Sequence, residues 1–264
     1  MTGHGALLAG KVAIISGIGP GLGATLASRF GDHGAAVVLL ARRQAALDAV
    51  AAALAERGTD VLGVATDITD DDACRHAVAR AVERFGSIDV LVNNAYEPDH
   101  FQPFEQADLD VWRRAMDVNA FGSLQLTRAA VTAMPAAGGA VGGVGSMIVR
   151  TNPALMGGYT MSKAALQSAA RTLSRELGPR HIRVNTVVPA WIWGASVKAY
   201  FDGIAAAGGP SVAEQYDEVA RRASLGFIAT EEQVADACAF LASDLASAIT
   251  GQELEVHAGD TSGS

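Results

Sequence analysis

Seven apolar runs separated by helical patterns leave this chain little choice of architecture, and the first run is the most constraining. Residues 11–16 (Lys-Val-Ala-Ile-Ile-Ser) read as a short buried strand that passes directly into Gly17-Ile-Gly-Pro-Gly21-Leu-Gly23, and a helical pattern follows to Phe30. A strand, a glycine-rich turn and a helix in immediate succession open a βαβ unit. In such a turn Gly17 takes the tight bend, Gly21 lets backbone approach a pyrophosphate, and Gly23 lets the new helix pack close to the sheet. The helix N-terminus then faces the phosphates. The spacing is G-x-x-x-G-x-G, not the commoner G-x-G-x-x-G, and it predicts a dinucleotide site.

Further strand candidates fall at residues 36–40, 61–65, 90–93, about 140–145, 183–188 and 253–256. Their alternation with helices predicts an α/β fold, a doubly wound parallel sheet of the Rossmann type. The Ala-rich stretch 44–57 has the propensity and apolar spacing of an amphipathic helix, stopped by Gly58. Thr69 is placed to cap a helix through Phe85, and Thr230-Glu-Glu-Gln233 fits a capping box. Residues 195–227 interrupt the alternation, and Gly203, Gly208, Gly209 and Pro210 there suggest a hinged helical insert of a length that suits a lid. No repeat or Pro-rich linker divides the chain, so residues 1–264 are expected to form a single domain.

A second constellation carries chemistry. Tyr159 and Lys163 are four residues apart, so on a helix the phenol and the ammonium share a face. A neighbouring cation favours phenolate and would draw the tyrosine pKa from about 10 toward the range useful for proton exchange at neutral pH. Other residues suggest no competing chemistry. The six histidines show no metal-ligand spacing and no metal is expected. Asp70-Asp71-Asp72 reads as acidic decoration of a helix start. Cys74 and Cys238 lie in helical patterns and read as buried thiols.

In order along nearly its whole length, the chain resembles the short-chain dehydrogenase/reductase family. Ser16-Gly17 through Gly23 is similar to that family's cofactor loop, with Ser where Thr is usual. Asp67 in Ala-Thr-Asp-Ile resembles its adenine contact, and Asn93-Asn94-Ala95 resembles the segment that supports the central strand. Asn119 in Asp-Val-Asn-Ala resembles its active-site asparagine, Tyr159 and Lys163 its catalytic pair, and Ser146, thirteen residues before Tyr159, its substrate-orienting serine. The resemblance implies a catalytic set of Asn119, Ser146, Tyr159 and Lys163. It also implies a cofactor-binding set of Ser16, Gly17, Gly21, Leu22, Gly23, Arg42, Asp67, Ile68, Asn94, Ala95, Pro189 and Ile192, joined by Tyr159 and Lys163. Lys163 would both lower the Tyr159 pKa and bind the nicotinamide ribose, and Asn119 would hold a water for proton relay.

Three departures mark what is particular to this chain. The usual Asn-Asn-Ala-Gly ends in Tyr96, placing a phenol beside the expected nicotinamide pocket. The stretch before Ser146 is Gly-rich (residues 138–145), and if Met147-Ile-Val149 were the strand instead, Thr151 or Asn152 would stand where the serine belongs; Ser146 is preferred because it needs no gap. The Pro-Gly common after the sixth strand is Pro189-Ala190, followed by Trp191-Ile-Trp193. Tyr96, His100, Phe101, Trp191 and Trp193 fall on loops at the strand C-terminal edge, so Tyr96, Trp191 and Trp193 are expected to line a pocket for an apolar or ring-bearing carbonyl or alcohol substrate. Core packing is the rival role for Trp191.

At the end of the second strand the position where an NAD site keeps a carboxylate is Ala41, followed by Arg42 and Arg43. A guanidinium fork suits a 2′-phosphate, so NADP(H) is favoured over NAD(H). Hydride transfer is the expected activity; the alternatives are a non-catalytic dinucleotide-binding sensor or structural subunit and, ranked last, dehydration or epimerisation with bound cofactor. The net charge of −8 argues against a general nucleic-acid binder. Half the residues are hydrophobic but no run of eighteen is apolar, so no membrane span is expected. The N-terminus lacks the features of a secretory signal, which predicts a cytoplasmic protein. Ile249-Thr-Gly-Gln252 resembles a segment near the family's subunit interface, implying a homo-oligomer, tetramer or dimer.

Overall fold

The computed structural model describes residues 6–98 and 100–260. Among these, seven strands form one sheet: β1 (Val12–Ser16), β2 (Ala36–Ala41), β3 (Val61–Ala65), β4 (Val90–Asn93), β5 (Gly139–Val144), β6 (Ile182–Pro189) and β7 (Glu253–Val256). The order across the sheet is β3-β2-β1-β4-β5-β6-β7 and every pairing is parallel. The helices are α1 (Leu22–Asp32), α2 (Gln44–Glu56), α3 (Asp71–Phe85), α4 (Leu109–Met116), α5 (Ser123–Ala133), α6 (Ile148–Thr151), α7 (Gly157–Leu177), α8 (Ala195–Ala206), α9 (Val212–Ala220) and α10 (Glu231–Ala242).

The pleat sorts side chains to two buried layers. Ala13, Ile15, Val37 and Leu39 face Leu26 and Phe30 of α1, Leu47 of α2 and Val234 and Leu241 of α10. Their neighbours Val12, Ile14, Val38 and Leu40 face Cys74 and Val78 of α3 and Leu126 and Ala130 of α5. Strands buried on both faces must be apolar at successive positions, which is why these runs read as continuous rather than alternating. Both cysteines are free and buried in these layers.

Two predicted details need correction or selection. The cap of α3 is Asp70, not Thr69: the Asp70 carboxylate accepts from the Asp72 and Ala73 amides, while the Thr69 hydroxyl donates to Asp67. A carboxylate satisfies two orphan amides and favours the positive helix end, so it outcompetes a hydroxyl one residue earlier. The Gly-rich stretch is the true β5, and Met147 precedes the single turn α6. Its glycines are tolerated because β4 and β6 pair with it on either side, and Gly145 is required: a Cβ there would stand 2.8 Å from Gln167 Nε2 and from Thr186 Cγ2. The Thr230–Gln233 capping box forms as predicted.

The strand order reverses direction between β1 and β4, and crevices open at such switch points outside the strand carboxyl ends. That crevice receives the loops after β1, β2, β3 and β4. Residues 195–220 stand apart as two helices around their own small apolar cluster of Phe201, Ala220 and Ile228.

Candidate active site

At the end of β1 the chain turns through Gly17 (φ +76°) and Gly21 (φ +108°), backbone conformations that favour glycine. Close approach demands glycine as well. A Cβ on Gly17 would stand 2.5 Å from Ala95 Cα, and one on Gly23 would collide with the Gly17 carbonyl oxygen. Asn94 fastens this turn to β4, donating from Nδ2 to the Ser16 and Gly17 carbonyls at 3.1 and 3.0 Å. Ser16 is fully buried beneath the loop; its hydroxyl accepts from the Asn94 and Ala95 amides and donates to Val92 O. Its side chain is thus enclosed among strand ends and holds the loop from below instead of facing a ligand.

Above the turn lies a cavity of about 1040 Å³ lined by Gly17–Pro20 of the loop, Leu40–Arg43 at the end of β2, Thr66–Thr69 after β3 and Asn94–Pro98 after β4. Ile68 and Ala95 border it. Arg42 reaches it with no ion pair among the described residues. Burial works to raise the Asp67 pKa, but hydrogen bonds from the Thr69 amide (2.9 Å) and hydroxyl (2.7 Å), with the Arg42 charge, hold it below the ordinary carboxylate value. Leu22 and Ile192 turn their side chains to the core layer beneath. Pro189 ends β6, where its carbonyl accepts from Met147 N at 2.9 Å.

Beside Tyr96, a residue of the cavity lining, α7 brings Tyr159 and Lys163 to the C-terminal end of β5. Lys163 is buried, and its Nζ donates to the Val144 carbonyl at 2.8 Å. Nζ lies 5.7 Å from the centroid of the Tyr159 ring, so the pair does share a face. The electrostatic consequence, however, differs from the sequence expectation. Burial pushes the Tyr159 phenol above its ordinary value, the Tyr96 phenol adds to the rise, and a hydrogen bond with Ser146 opposes it. Lys163, for the same reason of burial, is lowered to about 8. Desolvation outweighs the cation here because it penalises the charged form of both partners. Ser146 follows β5 directly, and its hydroxyl accepts from the Ile148 amide at 3.2 Å.

Asn119 sits fully buried in a π-helical turn, residues 117–122, between α4 and α5. Its carboxamide is committed to protein partners: Oδ1 accepts from Glu97 N at 2.6 Å, and Nδ2 donates to Glu97 O at 3.0 Å and Ser162 Oγ at 2.8 Å. The Ser162 hydroxyl in turn donates to the Tyr159 carbonyl at 2.7 Å. The helix irregularity thus ties the loop after β4 to the helix bearing Tyr159.

Aromatic rings cluster on the loops after β4 and β6 and on α8. Tyr96 lines the cavity and packs edge-on against Tyr159, centroids 6.3 Å apart. Trp191 stacks on Tyr200 of α8, which stacks on Phe101 of the loop after β4. Phe101 holds φ +54°, an uncommon conformation for a bulky residue. Trp193 packs instead against Phe201 and Tyr216, within the cluster of α8 and α9. Tyr200 is the member that sequence alone did not single out, since nothing in an amphipathic helix tells which face meets a distant loop.

A family model described as enoyl-(acyl carrier protein) reductase matches residues 17–261. Cis-4-hydroxycyclohexanecarboxylate dehydrogenase of Sinomonas cyclohexanicum is 36% identical over 97% of this chain and 99% of its own length. The trans-4-hydroxycyclohexanecarboxylate dehydrogenase of the same organism is 36% identical over 97% and 95%. A short-chain dehydrogenase/reductase from Serratia marcescens superposes with a TM-score of 0.84 at 31% identity, covering 97% and 99% of the two chains. The chain belongs to the short-chain dehydrogenase/reductase family of nicotinamide-dependent oxidoreductases. No helix among the described residues is long and apolar enough to cross a membrane.

The Lys163 shift makes stability depend on pH. Between about 8 and its ordinary 10.5 the folded protein has released a proton that the unfolded chain retains. Unfolding then takes up a proton, so stability from this residue rises with pH across that window. Denaturant unfolding of wild type and Lys163→Met at pH 7.5 and pH 10 should show the difference moving in favour of wild type at the higher pH. An unchanged or reversed difference would show that Lys163 is not desolvated.

Proposed function

We propose that this protein interconverts a carbonyl compound and an alcohol using NADP(H), with Tyr159 as the proton-exchanging group. The observation that carries the reading is the meeting of Tyr159, Ser146 and Lys163 at the end of β5, beside Tyr96, which lines the same cavity as the glycine turn and Arg42. The crevice suits a dinucleotide: glycines let backbone approach it, and four loops border a long cavity. Gly17, Gly21 and Gly23 would hold the pyrophosphate, Arg42 and Asp67 the adenosine end, and Lys163 the ribose nearest the reaction. When bound, the nicotinamide supplies or accepts a hydride.

The chain's own residues manage the oxygen and its proton. The raised Tyr159 pKa keeps the phenol protonated at neutral pH, the form that donates to a carbonyl oxygen in reduction. In oxidation the same group receives the alcohol proton as phenolate, a form that rising pH makes available. Ser146 donates a hydrogen bond to the same oxygen and stabilises the charge that grows there. Lys163 has donors beyond the one given to Val144 O, enough for a ribose hydroxyl. Asn119 holds the Glu97 loop and α7 in register; a relay water on its carboxamide requires one of its present partners to yield.

Tyr96, Phe101, Trp191 and Tyr200 form an apolar mouth suited to a ring-bearing substrate, and α8 with α9 form its lid. The two similar hydroxycyclohexanecarboxylate dehydrogenases, named for substrates with a six-membered ring, support that class. A similar structure, a variant of actinorhodin polyketide ketoreductase with NADPH (TM-score 0.87, 26% identity, 94% and 96% covered), supports the cofactor. We further propose a cytoplasmic homo-oligomer, for which the groove lined by the apolar residues Leu109, Trp112, Met116, Phe121 and Met161 offers a surface to bury.

Two experiments test these roles. Tyr159→Phe removes the exchangeable proton with little change in packing, and turnover should fall by about 10²–10⁴-fold with cofactor affinity nearly unaltered. Ser146→Ala should also lower turnover, and Thr151→Ala or Asn152→Ala much less. Wild-type turnover in Tyr159→Phe, or the reverse order in the other variants, would refute the assignment. Arg42→Ala should lower kcat/KM with NADPH far more than with NADH. A wild type that prefers NADH, or an equal loss with both, would remove Arg42 as the discriminating residue.

A further inference from the structure

One carboxylate outside the groups assigned above lies against the glycine turn. Glu231 is the first residue of α10, and its Oε2 accepts a hydrogen bond from Thr25 Oγ of α1 at 3.0 Å. Its Oε1 is 3.4 Å from where a Cβ on Gly21 would stand, beside Ser196 Oγ at 3.7 Å from the same point. The side chain also fills the space over Gly194: a Cβ there would collide with Oε1 and stand 2.7 Å from Cγ. Gly21 precedes α1 and Gly194 precedes α8, so the starts of three helices converge on one carboxylate.

Capping does not explain this residue. In α10 the reciprocal bonds are made by Thr230 and Gln233. Nor does a cation neutralise it among the described residues: Arg29 is bound to Asp236 at 2.6 Å, and Lys198 lies over the Trp193 ring at 5.2 Å. What remains attractive to the carboxylate is the partial positive charge of the helix starts. That same potential is what the fold offers an incoming pyrophosphate.

We propose that Glu231 is a built-in counter-charge that weakens binding of the dinucleotide pyrophosphate at the Gly17–Gly23 turn. The inference rests on the dinucleotide reading above. The carboxylate reduces the positive potential felt by the pyrophosphate while its bond to Thr25 and its contact with Gly194 keep it in place. Its influence is local. The adenosine end, held at Arg42 and Asp67 across the cavity, should not sense it.

Titration calorimetry with NADPH and with adenosine 2′-monophosphate, which lacks the pyrophosphate, tests this. Glu231→Gln keeps an oxygen to accept from Thr25 and removes the charge. At low salt it should bind NADPH about fivefold more tightly, the scale of one partly exposed charge, with a gain that shrinks as salt is raised. Its affinity for adenosine 2′-monophosphate should match wild type. Glu231→Ala should change NADPH affinity in the same direction, which keeps the test open if Glu231→Gln folds poorly, and Thr25→Val, which retains the charge, should give no gain. Equal or weaker NADPH binding by the charge-free variants, an equal gain for the pyrophosphate-free ligand, or the full gain in Thr25→Val would each overturn the proposal. A wild type that binds neither NADPH nor NADH would overturn the dinucleotide reading and this inference with it, whereas a wild type that binds and a Glu231→Gln that gains nothing overturns this inference alone.

Discussion

The rest of the structure depends on how closely the turn after β1 is pressed against the end of β4. No side chain fits at Gly17, where Ala95 backbone arrives, or at Gly23, where the Gly17 carbonyl stands. Asn94 locks the contact by donating to Ser16 Oγ and to the Ser16 and Gly17 carbonyls, and the Ser16 hydroxyl donates back to Val92 O of β4. The consequence is a crevice whose floor is fixed on both sides of the switch point. The loop that leaves β4 at this clasp carries Tyr96 to the edge of Tyr159 and Glu97 to Asn119, so one contact sets the relation between the cavity and these two side chains.

Desolvation governs the chemistry at the other end. A cation beside a phenol is expected to favour phenolate, and in an open site it would. Here Lys163 is buried and Tyr159 half-buried, and desolvation disfavours charge on each. Tyr159 is left as a neutral phenol with Ser146 as its hydrogen-bond partner. The bond from Lys163 to Val144 O anchors the ammonium to the sheet and fixes its position relative to the ring.

What could be read in the sequence was what local pattern controls. The strands at 61–65, 90–93 and 253–256 match the structure residue for residue, the first two as short, mainly apolar runs with polar borders and the third as an alternation of Glu with Leu and Val. The glycine turn and its helix also follow local rules, as does the capping box at Thr230. Choosing Ser146 over Thr151 or Asn152 came down to spacing, because β5 has weak strand propensity and forms through pairing on both edges. Tertiary effects lay beyond reach. The burial that raises the Tyr159 pKa, the enclosure of Ser16, the packing of Trp193 among Phe201 and Tyr216, and the approach of Glu231 to Gly21 all join residues far apart in the chain. Asp70 was missed for a smaller reason: two capping candidates stood side by side, and the carboxylate reaches two amides.

Calorimetric titration of wild type and Gly23→Ala with NADPH, each checked for a cooperative melt, addresses the clasp directly. The added methyl group would meet the Gly17 carbonyl and force the turn away from β4. Saturable binding by wild type, with an affinity at least about tenfold weaker in a folded Gly23→Ala, is the result this structure requires. Equal affinity in the two proteins would mean that the turn does not form the cofactor cradle.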